Sequence, residues 1–302
     1  MPRAQLTTGI ELEYETFGSP EDPTLLLVMG LGAQLTRWDV ALCQMFVDRG
    51  LHVVRFDNRD CGLSTGFEGR PVDPMAVIAA RRAGQPAPPV PYTLSDMAAD
   101  AVGLLDHLGV ARAHVVGASM GGMIVQRMAI EHPERLVTMT SVMSMPGDPS
   151  VGRPTPEASA ALLAPPPTDR ETFIAESAAR GLVWASKRYA DVDRLCAEAA
   201  RDFDRAFRPD GTPRQLAAIY ADGDRSERLA AVAVPTLVIH GRDDTLIDPS
   251  GGERTAEVIP GARLVLFDDM GHDFPEPLWP AIVATITEHI AAHDPGATGA
   301  PA

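Results

Sequence analysis

At 302 residues the chain is long enough to bury a full core, either as one large α/β domain or as a domain carrying an inserted lid. A formal charge of -15 excludes the clustered basic surface that phosphate backbones require, so no nucleic-acid partner is expected. The three cysteines, Cys43, Cys61 and Cys196, are too few and too dispersed for a disulfide framework or a thiolate zinc site; they fit a reducing cytoplasm, and no metal is expected.

The first residues lack the apolar stretch of a secretory signal, and the run Leu25 to Met29 is far too short to span a bilayer, so neither export nor membrane insertion is expected. Ile10 to Phe17 alternates apolar and aromatic residues with acidic ones, the pattern of a half-exposed antiparallel strand at a sheet edge. Strand-like runs then recur at Thr24 to Met29, His52 to Asp57, His114 to Ser119, Leu136 to Met143, Thr236 to Gly241 and Ala262 to Asp268. Helical patterns separate them, and this alternation predicts a mostly parallel sheet flanked by helices. One of those helices, Leu94 to Leu108, opens on Thr93 and Asp96, a near relative of the capping box, and closes at Gly109.

Two stretches break the rhythm. Residues 70–92 are punctuated by prolines and read as a lid-like insertion holding one short helix. Residues 146–228 open on proline-rich loops and continue with helical patterns around Glu171 to Ser186 and Asp191 to Phe207, which reads as an inserted helical cap. The core is then expected to comprise 1–145 and 229–294. The small, polar, turn-rich residues 295–302 are expected to be a disordered tail.

The most informative stretch is AHVVGASMGG. His114, Val115 and Val116 form a strand-like run, while Met123, Ile124, Met128 and Ile130 recur at helical spacing between Met120 and Glu131. Strand, sharp turn and helix therefore follow in the order of a nucleophile elbow, with Ser119 inside G-A-S-M-G. Gly117 and Gly121 flank the serine where a strained turn leaves no room for side chains. Read by itself, the same stretch would also serve as a glycine-rich βα turn of a Rossmann-like sheet.

A serine hydroxyl is a poor nucleophile at neutral pH and needs a histidine base oriented by a carboxylate. Among eight histidines, His107 and His132 sit near predicted helix ends, His289 and His293 in the last helix or its tail, and His52 and His114 begin strands. Only His272, in FDDMGHDFPEP, lies in the loop between the last predicted strand and the last predicted helix, where such a base belongs. His240 ends its strand directly before Gly241 and is expected to be a core or supporting residue. The acid belongs in IHGRDDTLIDP, which offers Asp243, Asp244 and Asp248. Chemistry does not rank the adjacent pair, and Asp248 before Pro249 reads as a turn or N-cap residue. Two backbone N–H groups must face the oxyanion: Met120, which follows the nucleophile, and a donor from VMGLG, where Leu31 is the best placed. A dinucleotide-binding reading of G-L-G is weak, because the third glycine at the required spacing is missing.

These segments resemble the serine esterases of the α/β-hydrolase fold, in particular the actinobacterial group of aclacinomycin methylesterase and similar mycobacterial carboxylesterases. The resemblance is carried by LLLVMGLG, VVRFDNRDCGLS, HVVGASMGG, PTLVIHGRDD and MGHDFP, and is weakest across 146–228. It implies an eight-stranded, mostly parallel sheet flanked by helices, with an inserted helical cap. By position it implies Ser119 as nucleophile, Asp244 as acid, His272 as base, and Leu31 and Met120 as oxyanion donors. Two residues depart from the pattern. Met29-Gly30 stands where many relatives have His-Gly, and Asp60 takes a glycine position of R-G-x-G-x-S, which Asp tolerates because it adopts left-handed turns.

The implied reaction is hydrolysis of a carboxylic ester through an acyl-enzyme, with no metal and no organic cofactor. Thioesterase, C–C hydrolase and perhydrolase chemistry would use the same residues, and a ligand-binding receptor without turnover would retain them. Dehalogenases and epoxide hydrolases place an Asp where this chain has Ser119. The apolar content of 70–92 and 139–167, with Phe173, Trp184 and Phe203, suits a small-molecule partner: a hydrophobic ester, short to medium in chain or a bulky methyl ester.

Overall fold

The computed structural model describes residues 2–165 and 167–294; the expected tail at 295–302 lies outside the described residues. The strands are β1 (Arg3–Gln5), β2 (Glu11–Phe17), β3 (Thr24–Val28), β4 (His52–Phe56), β5 (Ala113–Ala118), β6 (Leu136–Val142), β7 (Thr236–Gly241) and β8 (Arg263–Phe267). They form an eight-stranded sheet in the order β1-β2-β4-β3-β5-β6-β7-β8. The pairings from β4 to β8 are parallel, and β1 and β2 join antiparallel at one side.

Helices α1 (Val40–Val47), α2 (Pro74–Arg82), α3 (Leu94–His107) and α4 (Met120–Glu131) precede β6. Between β6 and β7 come α5 (Pro156–Leu163), α6 (Arg170–Trp184), α7 (Val192–Arg205), α8 (Gly211–Asp222) and the single turn α9 (Ser226–Leu229). Helices α10 (Ser250–Val258) and α11 (Trp279–His293) complete the order. Among the described residues, no helix is long and apolar enough to cross a membrane.

The central strands are rich in apolar residues on both alternates, most completely at residues 25–28 of β3, because both faces of the sheet are covered. Leu25, Leu27, Val53 and Val116 pack with Phe46 of α1 and Ile282 and Ile286 of α11. Their alternates Leu26, Val54 and Val115 pack on the other face with Met97 and Ala101 of α3 and Ile124 and Met128 of α4. The period of two along each strand thus feeds two separate cores.

β2 is antiparallel, as its alternation predicts, but it is not the edge: β1 pairs outside it, and Leu12 and Tyr14 are buried. Three residues are too few to carry a periodic signal, which is why β1 is invisible in the sequence. The cap at α3 is a complete capping box, with the Thr93 hydroxyl accepting from the Asp96 N–H and the Asp96 carboxylate accepting from the Thr93 N–H. In the proline-punctuated stretch only α2 is helical, started by Asp73, whose side chain accepts from Met75 and Ala76 N–H groups. Asp248 bonds the Ser250 N–H, while Pro249 itself takes the N-cap position of α10.

α6 and α7 pack against each other, and Phe173, Phe203 and Phe207 cluster there with ring centroids 4.5–5.4 Å apart. α8 instead packs on α2 and into the main body, where Ala217 and Ala218 are fully buried and Ala218 joins the core beneath α4. The loops that follow β3, β5, β7 and β8 meet at the carboxyl edge of the parallel strands, where ligands of open α/β sheets bind.

Candidate active site

Ser119 joins β5 to α4 and takes φ 57, ψ -118, a left-handed backbone that a β-strand residue does not adopt without constraint. The constraint is visible on both sides. The Ser119 N–H donates to the Val142 carbonyl at 2.9 Å, and α4 begins at once. A Cβ on Gly121 would run into the Val28 carbonyl, so the helix can approach the sheet this closely only with glycine there.

His272 lies in the loop between β8 and α11. Its Nε2 is 2.9 Å from Ser119 Oγ and its Nδ1 is 2.7 Å from Asp244 Oδ2. A carboxylate on Nδ1 requires that nitrogen to carry the proton, which leaves Nε2 free to accept the serine hydroxyl. The imidazole is therefore held in the tautomer a general base needs. Three residues separated by up to 153 positions in the chain are brought into one hydrogen-bonded line.

Asp244 follows β7, and its position there is set by the turn after Gly241. Its Oδ1 accepts the Leu246 and Ile247 N–H groups, both at 2.9 Å, leaving Oδ2 for histidine. Burial pushes this carboxyl up, but the His272 charge and hydrogen bonds from His240 and His272 outweigh it and hold Asp244 well below the usual carboxylate range. Asp243, which the sequence leaves level with Asp244, points instead toward Lys187 at 3.8 Å. His240 is wholly buried; its Nε2 lies 2.8 Å from the Ile247 carbonyl and 3.3 Å from Asp244 Oδ2. It is thus packed in the core against the carboxylate and away from the serine, as its place at a strand end suggests.

The loop after β3 runs beside Ser119: a Cβ on Gly30 would lie 3.1 Å from Ser119 Cβ and 3.5 Å from its Oγ. Leu31 and Met120, the first residue of α4, both line the cavity above the serine. Asp57 braces the far end of this loop by accepting the Leu35 N–H at 2.7 Å, and Arg205 of α7 meets the same carboxylate at 2.7 Å. Met29, where the resembled pattern has histidine, is buried and keeps its carbonyl occupied by Asn58 Nδ2 at 2.8 Å.

Several contributors to the site carry no signal in the sequence. The His272 N–H donates to the Trp184 carbonyl at 2.7 Å, so the end of α6 fixes the backbone of the histidine loop. Ser186 straps the same loop, accepting the Gly271 N–H on its hydroxyl at 2.9 Å while the Asp273 carboxylate accepts the Ser186 N–H at 3.0 Å. A serine 85 residues away in the chain has nothing in its local pattern to mark that role.

Ser119 and His272 open into a cavity of about 1850 Å³. Its walls are mostly apolar and include Met143, Met145, Leu162, Trp184, Leu216 and the Phe173, Phe203 and Phe207 cluster. The cavity leads directly to a serine hydroxyl already hydrogen-bonded to His272.

Residues 23–276 match the family described as the alpha/beta hydrolase fold. The rhodomycin D methylesterase DnrP of Streptomyces peucetius is 28% identical over 97% of this chain and 99% of its own length. A putative carbamate hydrolase of a Caulobacter species is 31% identical over 87% of this chain and 89% of its own. Among solved structures, an enol-lactonase from Burkholderia xenovorans aligns with a TM-score of 0.70 at 25% identity, covering 96% of this chain and 100% of that one. With the sheet order, the turn at Ser119 and a family match spanning most of the sequence in agreement, the chain belongs to the α/β-hydrolase fold family.

Proposed function

We propose that the protein is a serine carboxylesterase that hydrolyses a hydrophobic carboxylic ester through an acyl-enzyme. The observation that carries this reading is the line Ser119 Oγ to His272 Nε2, His272 Nδ1 to Asp244 Oδ2, at 2.9 and 2.7 Å. As Ser119 attacks the ester carbonyl, His272 takes the hydroxyl proton and Asp244 stabilises the imidazolium that forms. The Leu31 and Met120 N–H groups receive the negative charge that builds on the carbonyl oxygen. His272 then protonates the departing alkoxide, and a water activated by the same histidine releases the acid.

Residues 146–228 act in this reading as the cap over a core of 1–145 and 229–294, and supply the aromatic wall against which the larger part of the ester rests. The apolar cavity and the similarity to methylesterases of Streptomyces both favour a small methoxy leaving group on a bulky acyl part. The low cysteine count and acidic charge suit a cytoplasmic enzyme acting on a small molecule, with no cofactor in the mechanism. The test is steady-state turnover of a p-nitrophenyl ester series by the wild-type protein and by Ser119→Ala. The variant is expected to lose about 10⁴ to 10⁶ in kcat while remaining folded. A single slow acylation by the wild type, without turnover, would mark a ligand-binding receptor instead.

A further inference from the structure

The loop beside the nucleophile is held from a helix that no motif marks. Gly30 to Ala33 forms a β-turn closed by the Ala33 N–H donating to the Gly30 carbonyl at 3.3 Å, with Gly32 at φ +65. A turn with positive φ at its third residue differs from its commoner counterpart by a flip of the central peptide, here Leu31–Gly32. Gln215, fully buried on α8, accepts the Gly32 N–H at 2.8 Å, while its Nε2 donates to the Arg59 carbonyl at 2.8 Å. The partners dictate which end of the amide is which, since a backbone N–H only donates and a carbonyl only accepts. Thr212, one turn earlier on α8, closes the other side: a Cβ on Gly32 would lie 2.8 Å from its Oγ1.

We propose that Gln215 is a positioning residue for the reaction, locking the Gly30–Ala33 turn so that the Leu31 N–H stays aimed at the oxyanion. The inference rests on the esterase reading above, with Leu31 as a donor. In a planar peptide the N–H and C=O point in opposite directions. Drawing the Gly30 carbonyl toward Ala33 therefore turns the Leu31 N–H away from the inside of the turn. Asn58 on the Met29 carbonyl and Asp57 on the Leu35 N–H fix the two ends of this loop, and Gln215 fixes its middle. With the Gly32 N–H released, the central peptide is free to flip, and the closure that orients Leu31 loosens with it. An oxyanion donor works mainly as charge develops, so the loss falls on kcat and spares KM.

The experiment compares wild type, Gln215→Met and Gln215→Glu for kcat and KM on a p-nitrophenyl ester, with active sites counted by fluorophosphonate titration. Methionine matches the length of glutamine without its amide; glutamate, kept protonated by its burial, retains an acceptor for the Gly32 N–H and an O–H for the Arg59 carbonyl. Expected are a drop in kcat of about tenfold or more for Gln215→Met, below the 10² to 10³ of a deleted donor, with KM within about twofold. Gln215→Glu is expected to recover most of the loss. Wild-type kcat per titrated site in Gln215→Met, whatever its thermal stability, would overturn the proposal, as would a glutamate variant no better than methionine. Should Gln215→Met not fold, Gln215→Asn, a methylene too short to reach the turn, must show the same loss of kcat or the proposal falls. A wild-type protein that neither turns over esters nor takes the label would overturn the esterase reading itself and this role with it, a result distinct from the others.

Discussion

Asp60 takes φ 66 at a position that the R-G-x-G-x-S pattern gives to glycine, and its carboxylate shows what the exchange achieves. It accepts two hydrogen bonds from the buried Arg214 of α8, at 2.7 and 2.9 Å, and a third from the Phe67 N–H at 2.8 Å. Restoring glycine would relieve roughly 1 kcal/mol of backbone strain but would leave a buried guanidinium without its partner, at a cost of about 3–5 kcal/mol. Asp60→Gly is therefore expected to destabilise the protein by about 2–4 kcal/mol, read from the midpoint of urea unfolding; an unchanged midpoint would remove Arg214 from the account. At this scale Ser119 and His272 were legible because each carries a local signal, one in flanking glycines and the other in its place between the last strand and helix. Asp243 and Asp244 were not separable, because which of two adjacent carboxylates faces inward depends on a turn that composition does not reveal. Gln215 was silent: its partner on the turn lies 183 residues away, and a glutamine on a helix looks like any surface residue.

Among the elements, the central strands are legible from short, β-branched and apolar runs between helical patterns, even where a buried Arg55 or Thr140 interrupts the run. β1 is too short to carry a periodic signal, so the sequence alone places β2 at the edge. The helices between β6 and β7 were legible as helices, but their division of labour was not. α6 and α7 line the cavity; α8 also lends Leu216 to its wall, but in addition braces the loops after β3 and β4 through Gln215 and Arg214. Phe203 belongs to the first group, with its ring 4.5 Å from Phe207 and 5.3 Å from Phe173. Phe203→Ala is expected to raise KM for an ester with a bulky acyl part by about five- to twentyfold, the loss of one to two kcal/mol of apolar contact. Hydrolysis of p-nitrophenyl acetate, too small to reach that wall, is expected to change by less than about twofold. Equal effects on the two substrates would mean that the cluster only holds the helices together.

Across the whole molecule, the amino end of the sheet carries a second group of histidines with no part in the chemistry. His114, the second residue of β5, has Nδ1 2.9 Å from Thr138 Oγ1, and His289 of α11 packs at a tilt against His293 and contacts the Pro235 carbonyl. Burial lowers both imidazoles to about 4, although Asp294 acts to raise His114 and the Pro235 carbonyl to raise His289. A histidine kept neutral in the fold binds its proton in the unfolded chain first, so stability is unaffected above the ordinary histidine range. It then declines as pH falls from about 6.5 toward 4, and levels off below. Asp57, Asp100 and Asp273, raised by burial, carry the opposite sign, so a variant is needed to isolate the histidine contribution. Tm is expected to fall by about 5 °C or more between pH 7 and 5, and His114→Asn to show a visibly shallower decline; parallel curves for variant and wild type would contradict the assignment. The claim on which the rest depends is that Ser119, turned out of its strand by the elbow, is the group that becomes acylated. Its most direct test is to label the native protein with a fluorophosphonate and map the modified peptide. The account predicts a single adduct, on Ser119 and absent from Ser119→Ala; an adduct on any other residue, or none, would contradict it.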